Sequence, residues 1–186
     1  VGIYAYAEHT SPPKRARPKP NYVTALTHMP WEFCHVHAIN APGCPSNKRY
    51  LEYLKGWSNL TRHVGAYEYY GHFFVFTPWP IVHSMRVDIP LYKELKIERF
   101  ISETQQNWAN QGLNFYVGAK LVADPTLDVD ALLAEYFARF YGKAGGAMRR
   151  YHDLWEAAMK KTGENPEHRG YSWLSMFTLP LVAEAD

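Results

Sequence analysis

The feature that most constrains the fold is the alternation of strand-like and helix-like segments along the first two thirds of the chain. Four short segments have the alternation and the aromatic and β-branched content typical of strands, and loops or helical periodicity separate them. Strands that alternate with helices form parallel βα units, because a parallel pair needs a long crossover connection. The sequence therefore predicts an α/β protein with about four parallel strands, at residues 1–7, 21–29, 63–70 and 97–104.

Helical periodicity fills the connections and the C-terminal third. Ser46 is a suitable N-cap for a helix that runs through Trp57, and Pro90 is typical of the first turn of a second helix. The segment after Gly163 is predicted to be irregular. Three more helices are predicted at residues 108–122, 131–141 and 147–161.

The chain length favours part of a barrel. A complete (β/α)8 barrel needs about 250 residues, and this chain has 186. We predict the C-terminal half of such a barrel over residues 1–122, followed by a helical extension over 123–186 that packs on it; an open doubly wound sheet is the competing architecture. The pattern at Val1 is that of a strand that has already begun. Half a barrel would also leave the edges of its sheet unpaired. We therefore expect another chain, or a preceding N-terminal barrel half, to complete the fold.

Composition excludes some partners and favours others. The 20 Lys and Arg residues nearly balance the 18 Asp and Glu residues, so charge does not indicate a nucleic acid or an anionic membrane as partner. The sequence has no apolar run of about 18 residues, the length that would indicate a membrane-spanning helix. Aromatic residues make up 16% of the chain, led by 14 Tyr. That excess suits flat, polar ligands that stack on rings.

The candidate site lies where the predicted strands end, since function in α/β folds gathers at the carboxyl ends of parallel strands. Glu68 and Glu103 end successive predicted strands and could face each other as paired carboxylates, the arrangement that glycosidases use. Each could instead be a structural carboxylate held by a neighbour. Carboxylates, amides and tyrosines at strand ends resemble the lining of a sugar cleft.

The two cysteines leave three states open. Cys34 and Cys44 could pair, stay reduced, or join His35 and His37 on a metal ion, although the spacing matches no common zinc motif. We predict no metal and no cofactor. The sequence has no Walker loop, no dinucleotide-binding glycine fingerprint and no nucleophile elbow, so three large enzyme classes lose their main support.

Ten short motifs, in order and over roughly residues 1–155, resemble a large bacterial family. That family was long catalogued as a domain of unknown function within the glycoside-hydrolase barrel group, and its members are now associated with glycoside hydrolase family 163, the endo-β-N-acetylglucosaminidases that act on N-glycans. The motifs are Tyr4–Ala7, Pro12-Pro13, Cys34-His35, Gly56-Trp57, Tyr67–Tyr70, Phe100–Glu103, Lys120-Leu121, Asp124-Pro125, Asp128–Asp130 and Tyr141–Ala144.

The resemblance implies part of a glycoside hydrolase that acts on glycans containing N-acetylglucosamine, with this chain as the substrate-binding wall of the cleft. In such barrels the residue that acts as catalytic acid usually follows the fourth strand, which would lie upstream of Val1. Cleavage would be retaining, with the substrate's acetamido group available as the nucleophile. By analogy the protein would be extracellular or periplasmic. The alternative is a non-catalytic glycan-binding or assembly domain completed by another chain. The residues assigned are Glu103 and Glu68 for catalysis, and Tyr6, Tyr67, Tyr69 and Trp108 for substrate binding.

Overall fold

The computed structural model describes residues 2–71, 78–104, 108–161 and 176–185, which form a mixed α/β structure built on one parallel sheet. The order of the strands in the sheet follows the order along the chain, and all three pairings are parallel. This confirms the predicted α/β class and the four parallel strands. The strands are β1 (Gly2–Ala5), β2 (Val23–Thr27), β3 (His63–Glu68) and β4 (Arg99–Ser102).

Six α-helices lie in the described part of the chain. Two follow β2 and β3, one follows β4, and three follow in the C-terminal third. They are α1 (Pro45–Leu60), α2 (Val82–Glu94), α3 (Trp108–Ala123), α4 (Val129–Tyr141), α5 (Gly145–Lys161) and α6 (Leu179–Ala185). None of these helices is long and apolar enough to cross a membrane.

Several predicted boundaries are wrong, and the helix starts show why. Pro90 lies inside α2 rather than at its start. The first turn of α2 is capped by a distant residue: the Glu156 carboxylate of α5 accepts a bond of 2.6 Å from the backbone N–H of His83. Helix α1 begins at Pro45, because proline fits the first helical position, and Ser46 lies inside the helix. Helix α6 occupies part of the tail that was predicted to be irregular.

The two faces of the sheet have opposite surroundings. One face packs against α1 and α2 and forms a closed apolar core. The other face is open: Tyr4 is 60% exposed and Ile101 is 41% exposed, and they line a trough of about 400 Å³. Each strand thus turns alternate residues toward the helices and toward the trough. The buried face contributes Ala5, Leu26, Val64 and Ala66, which meet Tyr50, Leu54, Trp57 and Tyr92 of the helices.

The C-terminal helices share a second core with the rest of the structure. Met85 of α2, Val117 of α3, Leu133 of α4 and Trp155 of α5 belong to one continuous buried cluster. The loop between β2 and α1 joins the same cluster through Cys34. The extension therefore packs directly on the helices around the sheet, while the predicted division at residues 122 and 123 stays a prediction.

Candidate functional site

A row of aromatic rings lies along the carboxyl edge of the sheet, and we call it the aromatic shelf (Tyr4, Tyr6, Trp31, Tyr67 and Tyr69). Tyr67 and Tyr69 stack with ring centroids 5.5 Å apart, and Tyr4 lies 5.4 Å from Tyr67. Trp31 connects Tyr69 to Tyr6 through edge contacts at 5.6 and 6.5 Å. The rings thus form one continuous aromatic layer, in which Tyr4 and Tyr6 are exposed to solvent while Tyr69 is buried beneath its neighbours at 2% exposure.

Glu103 lies beside this shelf. Its backbone N–H donates a bond of 2.9 Å to the carbonyl of Glu68, which fixes the residue immediately after β4. Its Oε1 accepts a hydrogen bond from the Tyr67 hydroxyl. Partial burial and the neighbouring Glu103 carboxylate raise the pKa of Tyr67 to about 12, so the phenol keeps its proton at neutral pH. The shelf therefore presents a partly exposed carboxylate held in place by a tyrosine.

Glu68 is in a different environment, inside the helix-facing layer. Its Oε2 accepts a hydrogen bond from His28 Nδ1 at 3.1 Å, and His35 Nε2 lies within ion-pair distance of the same oxygen, at 3.3 Å. Its Oε1 accepts a bond from the Tyr92 hydroxyl. All three members of this buried His–Glu cluster (His28, His35 and Glu68) are at most 5% exposed. Glu68 is therefore held by two hydrogen-bond donors and a nearby imidazole, and it is 1% exposed, so it is closed to a ligand in the described structure.

The protonation of this cluster follows from its bonds. Burial alone would raise the pKa of Glu68, but His28 and His35 outweigh it and hold the pKa at about 2. Burial lowers the pKa of His28, yet the facing Glu68 carboxylate more than compensates, and the net pKa is raised. His28 Nε2 also faces Asn47 Oδ1 at 3.4 Å, so both ring nitrogens have acceptors. The cluster contains a buried ion pair between Glu68 and protonated His28.

Asp88 of α2 is a further buried acid close to this network. It accepts a bond of 2.7 Å from the backbone N–H of Ile39, and it is 6% exposed. Burial, assisted by repulsion from the Glu68 carboxylate, raises the pKa of Asp88 to about 8. Asp88 therefore holds a proton through most of the neutral range.

Two groups of side chains offer donor atoms to a metal ion. One is the buried His–Glu cluster, and the other is Cys34, His37 and Cys44; in each group the donor atoms lie within 4.8 Å of one another. Both cysteines are free thiols, and Cys34 Sγ lies 3.5 Å from His37 Nδ1. Their mutual hydrogen bond lowers the pKa of Cys44 and raises that of Cys34. His35, which the sequence placed with His37, turns instead toward Glu68.

A polar cleft of about 600 Å³ lies where the β2–α1 loop meets α2, α4 and α5. In this cleft His83 Nε2 donates to the Val36 carbonyl at 2.6 Å, while burial lowers the pKa of His152 to about 4. His37 lines the same cleft. The aromatic shelf contributes no side chain to its lining among the described residues.

The structure brings together most of the residues singled out from the sequence, but not the two carboxylates. Tyr6, Tyr67 and Tyr69 share the shelf with Glu103. Glu68 pairs in register with Ser102, one residue before Glu103, and successive residues of a strand point to opposite faces. The predicted pairing of Glu68 with Glu103 across one cleft is therefore corrected: they lie on opposite sides of the sheet.

Trp108 stands apart from the shelf contacts. It begins α3, is 54% exposed, and packs its ring 5.2 Å from Phe115 on the groove between α3 and α4. Its assignment to substrate binding stays a prediction.

Sequence reasoning missed three participants. Trp31 completes the shelf, and it follows β2 by only four residues, so its position beyond a strand end was the available signal. His28 and His35 hold Glu68. His28 follows β2 directly, but no sequence pattern pairs it with a carboxylate 40 residues away.

Comparison with known proteins gives one match. Searches of curated proteins and of solved structures each found no match to the chain. A comparison with protein families matches residues 1–153, most of the chain and all four strands of the sheet. On that match, the chain belongs to the family described as domain of unknown function (DUF4838).

Proposed function

We propose that this chain is the substrate-binding wall of a glycoside hydrolase that acts on glycans containing N-acetylglucosamine. The observation that carries the proposal is the aromatic shelf with Glu103 beside it, on the open face at the carboxyl edge of a parallel sheet. Aromatic rings pack against the apolar faces of sugar rings, and a carboxylate accepts bonds from sugar hydroxyl or acetamido groups.

The sheet supports a half barrel as the scaffold of this wall. Its strand order is sequential, and the helices that follow β2 and β3 cover one face while the other face stays open. In a (β/α)8 barrel the helices likewise cover only the outer face, and the inner face lines the barrel. The open trough next to Tyr4 and Ile101 is then barrel interior, which a preceding half or another chain completes.

We assign Glu103 to the stabilisation of positive charge on the sugar during cleavage. Glycoside hydrolysis passes through a positively charged transition state, which a nearby carboxylate stabilises. The Tyr67 hydroxyl fixes the orientation of the Glu103 carboxylate. In a retaining route through the substrate's acetamido group, Glu103 would orient that group. Glu68, closed off by His28, His35 and Tyr92, acts as a positioning residue that fixes the end of β3.

The test is a calorimetric titration of the full-length protein with a chitooligosaccharide and with an N-glycan core, followed by mass spectrometry of the recovered sugar. We expect binding that weakens about tenfold or more in Tyr67→Ala. The control is Phe140→Ala, which removes an aromatic ring that is 55% exposed on α4, and it should bind as the wild type does. Equal affinity in wild type and Tyr67→Ala would contradict the shelf as the binding surface.

The second candidate is a non-catalytic glycan-binding or assembly domain. The observation that favours it is that only one of the two strand-end carboxylates, Glu103, faces the shelf within the described structure. The same experiment separates the candidates. A shortened sugar supports the hydrolase, and a bound but intact sugar supports the binding domain.

A further inference from the structure

We propose that Cys34, His37 and Cys44 form a zinc site that anchors the β2–α1 loop. This inference is independent of glycan binding, and it departs from the sequence expectation of no metal. The three residues come from a loop and from the position just before α1, within eleven residues of one another. Two thiols and an imidazole are the soft sulfur and nitrogen donors that zinc accepts, whereas Mg²⁺ and Ca²⁺ take oxygen ligands.

The distances fit a tetrahedral ion. Cys34 Sγ and His37 Nδ1 are 3.5 Å apart, and all three donor atoms lie within 4.8 Å of one another. With Zn–S bonds of about 2.3 Å and Zn–N bonds of about 2.0 Å, tetrahedral angles separate sulfur and nitrogen by roughly 3.5 Å. Cys34 and His37 are therefore already spaced for one ion, and Cys44 Sγ lies within 4.8 Å of both donor atoms.

The sulfurs also have the supporting donors that metal-bound thiolates use. The backbone N–H of His37 donates to Cys34 Sγ at 3.4 Å, and Ser46 Oγ lies 3.4 Å from Cys44 Sγ. Both thiols are buried, at 0% and 1% exposure. Such outer contacts orient ligands and are a regular part of metal sites.

The loop that carries the ligands is held rigid by Asn47. Its Nδ2 donates to the carbonyls of Cys34 and His37, both at 2.8 Å, and its Oδ1 accepts from the N–H of Cys34 at 3.0 Å. One buried side chain thus ties two of the three ligand residues to the first turn of α1. A preformed site of this kind loses little conformational entropy when the ion binds.

The polar cleft supplies the entry path and the fourth position. His37 lines that cleft, while Cys34 and Cys44 are buried in the core. Three protein ligands with a solvent molecule in the fourth position are a regular zinc arrangement. The ion thus joins the loop, α1 and the wall of the cleft at one point.

The experiment is metal analysis of the full chain purified without chelator, together with a cobalt(II) titration of the metal-free protein. We expect about one zinc per chain, and tetrahedral cobalt bands with sulfur-to-cobalt charge transfer, because cobalt adopts the geometry of the site. The titration uses the wild-type chain, so it stays decisive if the cysteine variants fail to fold.

Variants assign the ligands. Cys34→Ser and Cys44→Ser should remove the charge-transfer band or reduce it by half, and His37→Ala should weaken cobalt binding at least tenfold. His9→Ala, which removes an exposed histidine outside the cluster, should bind cobalt as the wild type does. The proposal is overturned by a non-reduced intact mass 2 Da below the reduced mass, which indicates a disulfide. It is equally overturned by two titratable thiols with no cobalt spectrum, or by zinc content that survives in both cysteine variants.

Discussion

The two faces of the sheet place a glutamate in opposite environments, one buried and one open. Glu68, at the end of β3, is closed inside the helix-facing layer by His28, His35 and Tyr92. Glu103, directly after β4, lies on the open face, and in the described part of the chain its carboxylate accepts a hydrogen bond from Tyr67. The register places the two glutamates only one residue apart along the sheet edge, since Glu68 pairs with Ser102.

The difference shows that strand parity, rather than position at a strand end, decides which carboxylate is available to a ligand. A step of one residue moves a side chain to the other face of the sheet. On the inner side the glutamate forms an ion pair that holds elements together. On the open side it can meet a substrate. The predictions below test this division, from the largest expected effect to the smallest.

Removing the buried carboxylate should have the largest effect. Glu68→Ala leaves protonated His28 without its counter-ion and removes one acceptor of the Tyr92 hydroxyl, so the free energy of unfolding should fall by about 3–5 kcal/mol. Urea denaturation followed by circular dichroism measures this. The matched variant Glu103→Ala, on the open face, should lose less than about 1 kcal/mol. Equal losses in the two variants would remove the distinction between the faces.

The buried acid Asp88 should make stability depend on pH. Its pKa is about 8 in the fold and 3.8 ordinarily, so between those values the folded chain holds a proton that the unfolded chain has lost. Stability from this group is full below about pH 4 and declines as the pH rises to about 8. Asp88→Asn has no such titrating group. Between pH 4 and pH 8 its free energy of unfolding should therefore fall less than that of the wild type, by a difference of more than about 1 kcal/mol.

Glu68 and His28, which lie near Asp88, change stability over pH ranges of their own, and these two contributions serve as the internal control. Glu68, with its pKa lowered to about 2, contributes stability above pH 4.5 that is lost as the pH falls toward 2. His28, with its pKa raised, contributes stability below about 6.5 that is lost as the pH rises through its folded pKa. Both contributions should persist in Asp88→Asn. Urea midpoints from pH 3 to 9 for both proteins give the comparison, and parallel curves would refute the role of Asp88.

On the open face, loss of a single hydroxyl should have a smaller effect. Tyr67→Phe keeps the stacked ring but frees the Glu103 carboxylate, and the lost hydrogen bond corresponds to about 0.5–1.5 kcal/mol. We expect glycan affinity to fall about threefold to tenfold in calorimetry while the urea midpoint stays near that of the wild type. A large fall in stability with unchanged glycan affinity would show that the Tyr67 hydroxyl stabilises the fold and has no part in glycan binding.

The smallest effect is expected at Trp108. It starts α3, which follows β4 at the same edge of the sheet, and about half of its surface is exposed. If Trp108 binds substrate as predicted, it does so outside the shelf, so only a glycan longer than the shelf contacts it. Trp108→Ala should therefore weaken a long oligosaccharide about twofold to fivefold and leave a disaccharide unchanged. Equal weakening of both ligands would indicate an indirect effect through the α3–α4 groove.

The strands could be predicted from the sequence because each one carries its own local pattern of residues. The arrangement of the site could be predicted only in part, because the register between strands depends on residues far apart in the chain. Tyr6, Tyr67, Tyr69 and Glu103 were expected to lie together because parallel strands place their ends at one edge, and the structure brings them together. The separation of Glu68 from Glu103 depends on pairing across 34 residues, which no local pattern contains.

The same limit applies to the other misses. The cap that Glu156 provides to α2 joins residues 73 apart, so the start of that helix was misplaced at Pro90. The bond between His28 and Glu68 spans 40 residues. Contacts of this kind arise from packing of whole elements, and they decide which polar residues become buried.

The most direct test of the division between the faces is the conservative variant Glu103→Gln in the full-length protein with its complete barrel, assayed for cleavage of an N-glycan and for its urea midpoint in parallel with the wild type. The account predicts a wild-type midpoint with turnover at least about 100-fold lower, since the neutral amide cannot stabilise the developing charge. Wild-type turnover and affinity in Glu103→Gln would contradict it.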